Sequence, residues 1–161
     1  MSARPTTARP TTAGTGTAGT TARTTTARTT TGRFTFADWR EEPIGAAGPG
    51  STPRLARSTV VNAFAGGIEA AATSAAYTIT YTGEGTGSYT GLELLSGAVD
   101  GRAGAFVLEQ RGTFDGDGTR CTFEVVAGSG SGELAGLSGS GAFTYRHGDT
   151  SVAYEFGYTV G

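Results

Sequence analysis

The chain has 161 residues, enough for one domain, and its charge is divided between a basic beginning and an acidic remainder. Residues 1–31 carry four arginines and no acid, whereas residues 32–161 carry eight arginines and 14 acidic residues. An acidic domain is a poor match for nucleic acid or an anionic membrane, and no stretch of 18 apolar residues is present to span a bilayer.

The first predicted element is a disordered N-terminal tail over residues 1–31. Thr, Ala, Arg and Gly dominate it, T-A-R recurs at residues 7, 21 and 26, and Met1 is its only large apolar residue. Such a segment buries too little apolar surface to offset the entropy of ordering it. Two alternatives stay open: an organelle-targeting segment, which the basic, hydroxyl-rich composition resembles, and a start of translation further downstream.

Residues 32–161 contain eight segments with strand-like alternation or β-branched composition, separated by turns rich in Gly, Asp and Pro. The predicted strands are residues 32–39, 54–66, 68–82, 88–99, 104–114, 119–126, 141–146 and 151–160. Asp100-Gly101 and the D-G-D-G sequence at residues 115–118 are typical of tight hairpin turns. No useful helical periodicity is present, so the sequence predicts an all-β domain, a barrel or a sandwich. Glycines inside the strands favour a small antiparallel eight-stranded β-barrel.

The glycine-rich stretch at residues 125–143 raises the question of a nucleotide site. Residues 130–135 fit the loose G-x-G-x-x-G/A dinucleotide pattern. That site needs a helix whose N-terminus faces the pyrophosphate, but more glycines follow Ala135 and disfavour a helix. We therefore predict a Gly-Ser linker with one helical turn, in which Leu134 and Leu137 plug one end of the barrel, and we predict no cofactor.

His147, Cys121, Asp115 and Asp117 suggest catalytic or metal chemistry, but each has a simpler interpretation. His147 lies in a predicted hairpin tip without a partner, and one His with one Cys is too small a set for a zinc site. The two aspartates lack the twelve-residue pattern of a calcium loop and are predicted as turn residues. Cys121 shares a strand face with apolar residues, so we expect an inert buried thiol. As the only cysteine, it also fits a reducing, cytoplasmic compartment.

Three polar residues share a strand face with apolar residues and are the candidate binding groups. Gln110 alternates with Phe and Leu residues of its strand, and Asn62 alternates with Val and Phe residues. Glu93 alternates with Tyr and Leu, although the opposite face, with Leu92 and Leu94, is an alternative buried face. In a barrel with a cavity these groups would be the polar contacts of an apolar pocket, and in a filled barrel they would be hydrogen-bonded core residues.

Four longer segments of the domain carry a family resemblance: FTFADWREEP, STVVNAFAGGIEA, YTGLELLSGAVDGRAGAFVLEQRGTFDG and VVAGSGSGELAGLSGSGAF. They extend over about residues 32–160 and resemble an uncharacterised bacterial family, the domain of unknown function 3224. The resemblance implies a small barrel of the allene-oxide-cyclase and dirigent-like group, whose members hold apolar or phenolic molecules and oligomerise. The family brings no established activity. Its pattern places a histidine where this chain has Gln110, which cannot transfer protons near neutral pH.

Three functions are compatible with the sequence. The first is binding of a small apolar or phenolic molecule inside the barrel, with the candidate wall residues Phe106, Phe114, Tyr154 and Phe156. The second is a structural module with a side-chain-filled barrel that forms homo-oligomers. The third, ranked last, is a cofactor-free cyclase or isomerase. In each case we expect no metal, no nucleic acid and no membrane among its partners.

Overall fold

The computed structural model describes residues 24–161, and strands account for most of them. The nine strands are β1 (Arg28–Ile44), β2 (Arg54–Gly66), β3 (Ile68–Glu69), β4 (Ser74–Gly83), β5 (Thr86–Val99), β6 (Arg102–Phe114), β7 (Gly118–Val125), β8 (Leu137–Arg146) and β9 (Val152–Val160). A 3-10 turn, Gly132–Leu134, lies between β7 and β8. No helix in this part of the chain is long and apolar enough to cross a membrane. The all-β prediction is confirmed.

Eight of the strands form a closed antiparallel ring. They pair in the order β1-β2-β4-β5-β6-β7-β8-β9, and β9 pairs back with β1. The short β3 pairs with the end of β5. The predicted eight-stranded barrel is confirmed, but its third predicted strand, residues 68–82, is divided between β3 and β4. The segment between them stays bound to β2, where the backbone N–H of Thr73 donates to Asn62 O at 2.9 Å.

β1 is longer than predicted at both ends. Residues 28–31, assigned to the tail, pair with β9, and the register joins Arg28 to Tyr158. Their threonines are β-branched and suit a strand once a partner strand is available, which composition alone does not reveal. Residues 41–44, predicted as loop, pair with β2 after a bulge at which Asp38 adopts a positive φ of 58°. Residues 1–23 of the predicted tail lie outside the described residues.

The interior of the barrel has two unlike halves. The half near the β5–β6 turn, which we call the filled half, is packed with a cluster of buried side chains that includes Phe106, Tyr154 and Phe156. Leu134, from the 3-10 turn, and Leu137, the first residue of β8, are buried in the same cluster. The predicted helical turn and leucine plug are therefore confirmed.

The Gly-Ser stretch that carries the plug also covers the edge of β6. β7 pairs with β6 only as far as Val125, which lies opposite Leu108. Beyond that point, three side chains accept hydrogen bonds from backbone N–H groups of β6. Ser129 Oγ accepts from Val107 and Ser131 Oγ from Ala105, both at 3.1 Å, and Glu133 Oε2 accepts from Ala103 at 2.8 Å. A Cβ on Gly104 would overlap the carbonyl oxygen of Ser131. Close packing of two backbones thus explains the composition of this stretch.

The other half of the interior, the open half, is shaped by glycines that face aromatic rings across the sheet. Three such cross-strand pairs are Gly91–Tyr77, Gly112–Tyr89 and Gly87–Phe114. A Cβ on any of these glycines would overlap the facing ring, so each ring lies against bare backbone. The rings are thereby held along the wall of the barrel, and the middle of this half stays open.

Candidate functional site

The open half contains a cavity of about 480 Å³. Its mouth lies between the tips of the β4–β5, β6–β7 and β8–β9 hairpins and the middle of β1, where Trp39 is 52 % exposed. Its apolar and aromatic wall residues are Phe34, Phe36, Val60, Tyr77, Ile79, Tyr81, Tyr89, Phe114, Phe143, Tyr145 and Val152. Its inner end is polar and contains Asn62, Glu93 and Gln110.

Glu93, on β5, is the centre of a buried hydrogen-bond network at the inner end of the cavity, and only 1 % of it is exposed. Asn62 Nδ2 and Thr73 Oγ1 donate to Glu93 Oε1 at 2.7 and 2.6 Å, and Gln110 Nε2 donates to Oε2. Thr73 Oγ1 also accepts the backbone N–H of Asn62 at 3.0 Å. Two other strands and the β3–β4 segment thus converge on one carboxyl group.

Two further partners hold the Gln110 amide in one orientation. Tyr77 OH donates to Gln110 Oε1 at 2.9 Å, and Cys121 Sγ donates to the same oxygen at 3.7 Å. Because Oε1 accepts these bonds, Nε2 faces Glu93. The network therefore extends over β2, β4, β5, β6 and β7, and each of its strand residues occupies an inward position of its own strand.

Burial determines the protonation of the groups in this network. Loss of solvation raises the pKa of Glu93, and the hydrogen bonds from Thr73, Asn62 and Gln110 oppose this effect without cancelling it. Burial likewise raises the pKa of Cys121, to about 11. Cys121 is therefore a neutral thiol at physiological pH, as expected for an unreactive buried cysteine.

The raised pKa of Glu93 predicts a stability that falls as the pH rises. Above its ordinary pKa of 4.5, the unfolded chain releases this proton while the folded protein keeps it. The contribution of Glu93 to the free energy of unfolding is fully present below pH 4.5 and is lost as the pH rises through the pKa of Glu93 in the folded protein. The free energy of unfolding then falls by at most ~1.4 kcal/mol per pH unit. Urea denaturation at a series of pH values measures it. Glu93→Gln does not titrate at this position, so identical pH profiles for the variant and the wild type would contradict the prediction.

The structure brings together the three polar residues predicted as binding groups. Asn62, Glu93 and Gln110 come from three strands and meet in one network. The structure also decides which face of β5 is buried. Glu93 lies inside, whereas Leu92 and Leu94 are 53 and 51 % exposed on the outer face.

Of the four predicted wall residues, Phe114 lines the cavity and the other three do not. Phe106, Tyr154 and Phe156 face inwards as expected, but they belong to the filled half. Tyr154 connects β9 to β3 there, because its OH accepts the backbone N–H of Ile68 at 2.7 Å. The alternation that predicted these residues indicates an inward face and carries no information on depth along the barrel.

Most of the wall was not predicted as part of a site, and three of the missed residues are Thr73, Tyr77 and Trp39. Thr73 lies in an irregular segment that resembled strand, and nothing local in the sequence marks it as a hydrogen-bond donor to Glu93. Tyr77 carried a usable signal, since it alternates with two other apolar side chains, and Trp39 is the last residue of the first predicted strand. His147, predicted as a solvated turn residue, is exposed at the mouth of the cavity.

Comparison with known proteins assigns the chain to a family. A family model described as protein of unknown function (DUF3224) matches residues 30–158. The crystal structure of a protein with unknown function from the DUF3224 family, from Shewanella oneidensis MR-1, is similar, with a TM-score of 0.64 and 31 % sequence identity. The similarity covers 86 % of this chain and 99 % of that one. No curated protein sequence matches the chain significantly. The chain therefore belongs to the DUF3224 family, as its sequence resemblance predicted.

Proposed function

We propose that the protein binds a small, largely apolar molecule in the open half of its barrel. The observation that carries this proposal is the difference between the two halves of the barrel interior. Packed side chains fill one half, whereas a cavity of about 480 Å³ stays open in the other. Protein interiors are close-packed, and voids larger than a water molecule are few. Ligand sites are typically concave, mostly apolar and about 300–1,000 Å³ in volume, with a few placed polar groups. The cavity matches this description.

The wall of the cavity is rigid enough to be preformed. Tyr77 and Tyr89 meet edge to face with ring centroids 5.3 Å apart, and Tyr81 meets Phe114 in the same way at 5.3 Å. Tyr89 is further fixed by a hydrogen bond of 2.9 Å between its OH and Thr119 Oγ1. Because these rings already hold one another, binding requires little side-chain ordering, which favours affinity.

A thermal-shift screen with apolar amines, phenols and carboxylic acids tests the proposal. A ligand at 100 times its Kd is expected to stabilise the fold by about 2.7 kcal/mol. Phe114→Ala removes part of the wall and should weaken any hit about tenfold, which corresponds to ~1.4 kcal/mol. Leu92→Ala, on the outer face, is the matched control and should leave the affinity unchanged. A flat response across the panel would count against the proposal, as would equal weakening by both variants.

A second candidate function, assembly into homo-oligomers, is favoured by the outer face of β5. Leu92 and Leu94 are exposed there, and Leu94 pairs across the sheet with Val107 of β6. Exposed apolar groups that adjoin one another on a sheet are typical of interaction surfaces. These leucines point away from the cavity, so assembly and ligand binding are compatible.

A further inference from the structure

We infer, resting on the proposed function, that the cavity selects molecules that carry an organic ammonium group, with the carboxylate of Glu93 as the counter-ion. The chemical class is an amine on an aromatic or aliphatic skeleton small enough for a cavity of about 480 Å³. The inner end of the cavity would hold the charged group, and the aromatic wall would hold the skeleton.

The hydrogen-bonding partners of Glu93 suit an ionised carboxylate. All three are donors, namely the side-chain amides of Asn62 and Gln110 and the hydroxyl of Thr73. Gln110 is held with its N–H₂ towards Glu93, because its carbonyl oxygen accepts from Tyr77 OH. Thr73 Oγ1 already accepts a backbone N–H, so its own hydrogen is directed to Glu93. A carboxylate has about four lone-pair sites. Three donors leave one site, on Oε2, for an N–H group of a ligand.

No lysine or arginine balances this carboxylate among the described residues that line the cavity, and the histidine there, His147, lies at its mouth. The titratable groups that line it besides Glu93 are Tyr77, Tyr81, Tyr89, Asp115, Tyr145 and His147, and Cys121 adjoins Gln110. Arg54 Cζ lies 3.6 Å from the centroid of the Tyr81 ring, and Tyr81 OH donates to Glu41, but neither Arg54 nor Glu41 lines the cavity. A buried charge is unfavourable unless it is paired. A cationic ligand would therefore pair with the ionised form of Glu93, and an anionic ligand would be repelled by that form.

The aromatic wall adds a second attraction for a cation. Burial raises the pKa of Tyr77 and of Tyr89, so both phenols are neutral at physiological pH. The faces of neutral aromatic rings attract ammonium groups, and the attraction is strongest where the cation is removed from water. A carboxylate at the inner end of an aromatic cavity is thus complementary to an ammonium group on an apolar skeleton. A neutral alcohol of the same shape would gain the apolar contacts alone.

Three naphthalene derivatives that differ in one group test the inference by isothermal titration calorimetry at pH 7. They are 1-naphthylmethylamine, 1-naphthylmethanol and 1-naphthoate. We expect the amine to bind at least tenfold more tightly than the alcohol, and the naphthoate to bind most weakly. In Glu93→Gln, which keeps the shape without the charge, the amine should bind no more tightly than the alcohol. Phe114→Ala, the matched control, should weaken the amine and the alcohol alike, because both use the wall.

The results that would overturn the inference are distinguishable from failure of the proposed function. If the alcohol or the naphthoate binds the wild type as tightly as the amine, the ammonium preference is wrong and cavity binding stands. If none of the three binds, the inference is wrong, and the thermal-shift panel decides separately on the proposed function. Should Glu93→Gln not fold, ¹³C NMR of labelled glutamate carboxyls in the wild type decides. The amine should lower the titration midpoint of Glu93 by at least one pH unit, and an unchanged midpoint overturns the inference.

Discussion

Replacing Phe156 by alanine is expected to lower the free energy of unfolding by about 3–5 kcal/mol. Phe156 is 0 % exposed and lies in the middle of the filled half. Its ring stacks on Tyr158 with centroids 5.3 Å apart and meets Phe123 at 5.8 Å. Alanine would leave a cavity that these neighbours, fixed on different strands, cannot close. Equilibrium denaturation in urea or guanidinium measures the loss.

Phe114→Ala is the matched control, because it removes the same ring from the open half. Phe114 is half-buried and already borders the cavity, so its truncation enlarges an existing space and breaks fewer contacts. We expect a clearly smaller loss of stability than for Phe156. Equal losses in the two variants would mean that the two halves are packed alike, and that result would remove the main support for a binding cavity.

Leu134→Ala is expected to lower the free energy of unfolding by about 2–5 kcal/mol. Leu134 is 0 % exposed although it comes from a short turn in a glycine-rich stretch. Its side chain closes the filled end of the barrel, so its removal both leaves a cavity and loosens the stretch from the edge of β6. Chemical denaturation measures this loss as well.

The control for this substitution is Leu92→Ala. It deletes the same atoms from a leucine on the outer face of β5, where exposed substitutions change stability by about 0.5 kcal/mol or less. A loss at Leu134 as small as that at Leu92 would show that the plug contributes nothing to the fold. The two leucines are similar in sequence context, since each is close to glycines, and only the structure separates their roles.

The ring of strands could be predicted because its signals are local. The last strand alternates Val152, Tyr154, Phe156, Tyr158 and Val160, and each of them is buried or half-buried in the structure. The Asp-Gly turn after β5 reverses the chain within two residues, with positive φ values of 45° and 82°. Both signals are contained in short windows of sequence, and tertiary contacts did not alter them.

The position of the cavity could not be predicted, because inward and outward residues alternate in the same way along the whole length of each barrel strand. Phe106 and Phe114 lie on the same face of the same strand, yet one is in the filled half and the other lines the cavity. The cluster that packs around Phe106 includes Leu134, which reaches the interior from another part of the chain. Packing around Phe106 therefore depends on long-range contacts, which no window of β6 contains.

The burial of Glu93 could not be predicted either, because it also depends on long-range contacts. Between Leu92 and Leu94, a carboxyl group is the least suited of the three side chains to an apolar interior. The structure reverses this preference because Asn62 and Gln110, together with a threonine, supply donors from distant segments. Sequence alone identified two of these donors and could not show that they meet.

The pairing of β1 with β9 has a consequence for how the protein folds. The other ring pairs join strands that follow one another along the chain, apart from the short β3 between β2 and β4. The β1–β9 seam joins the first strand to the last, so the entropy of closing a long loop must be overcome before this seam gains contacts. Phe34 and Val152 face each other across it, and both line the cavity. The cavity is thus completed only when the ring closes, so a ligand would slow unfolding without speeding the earlier steps of folding.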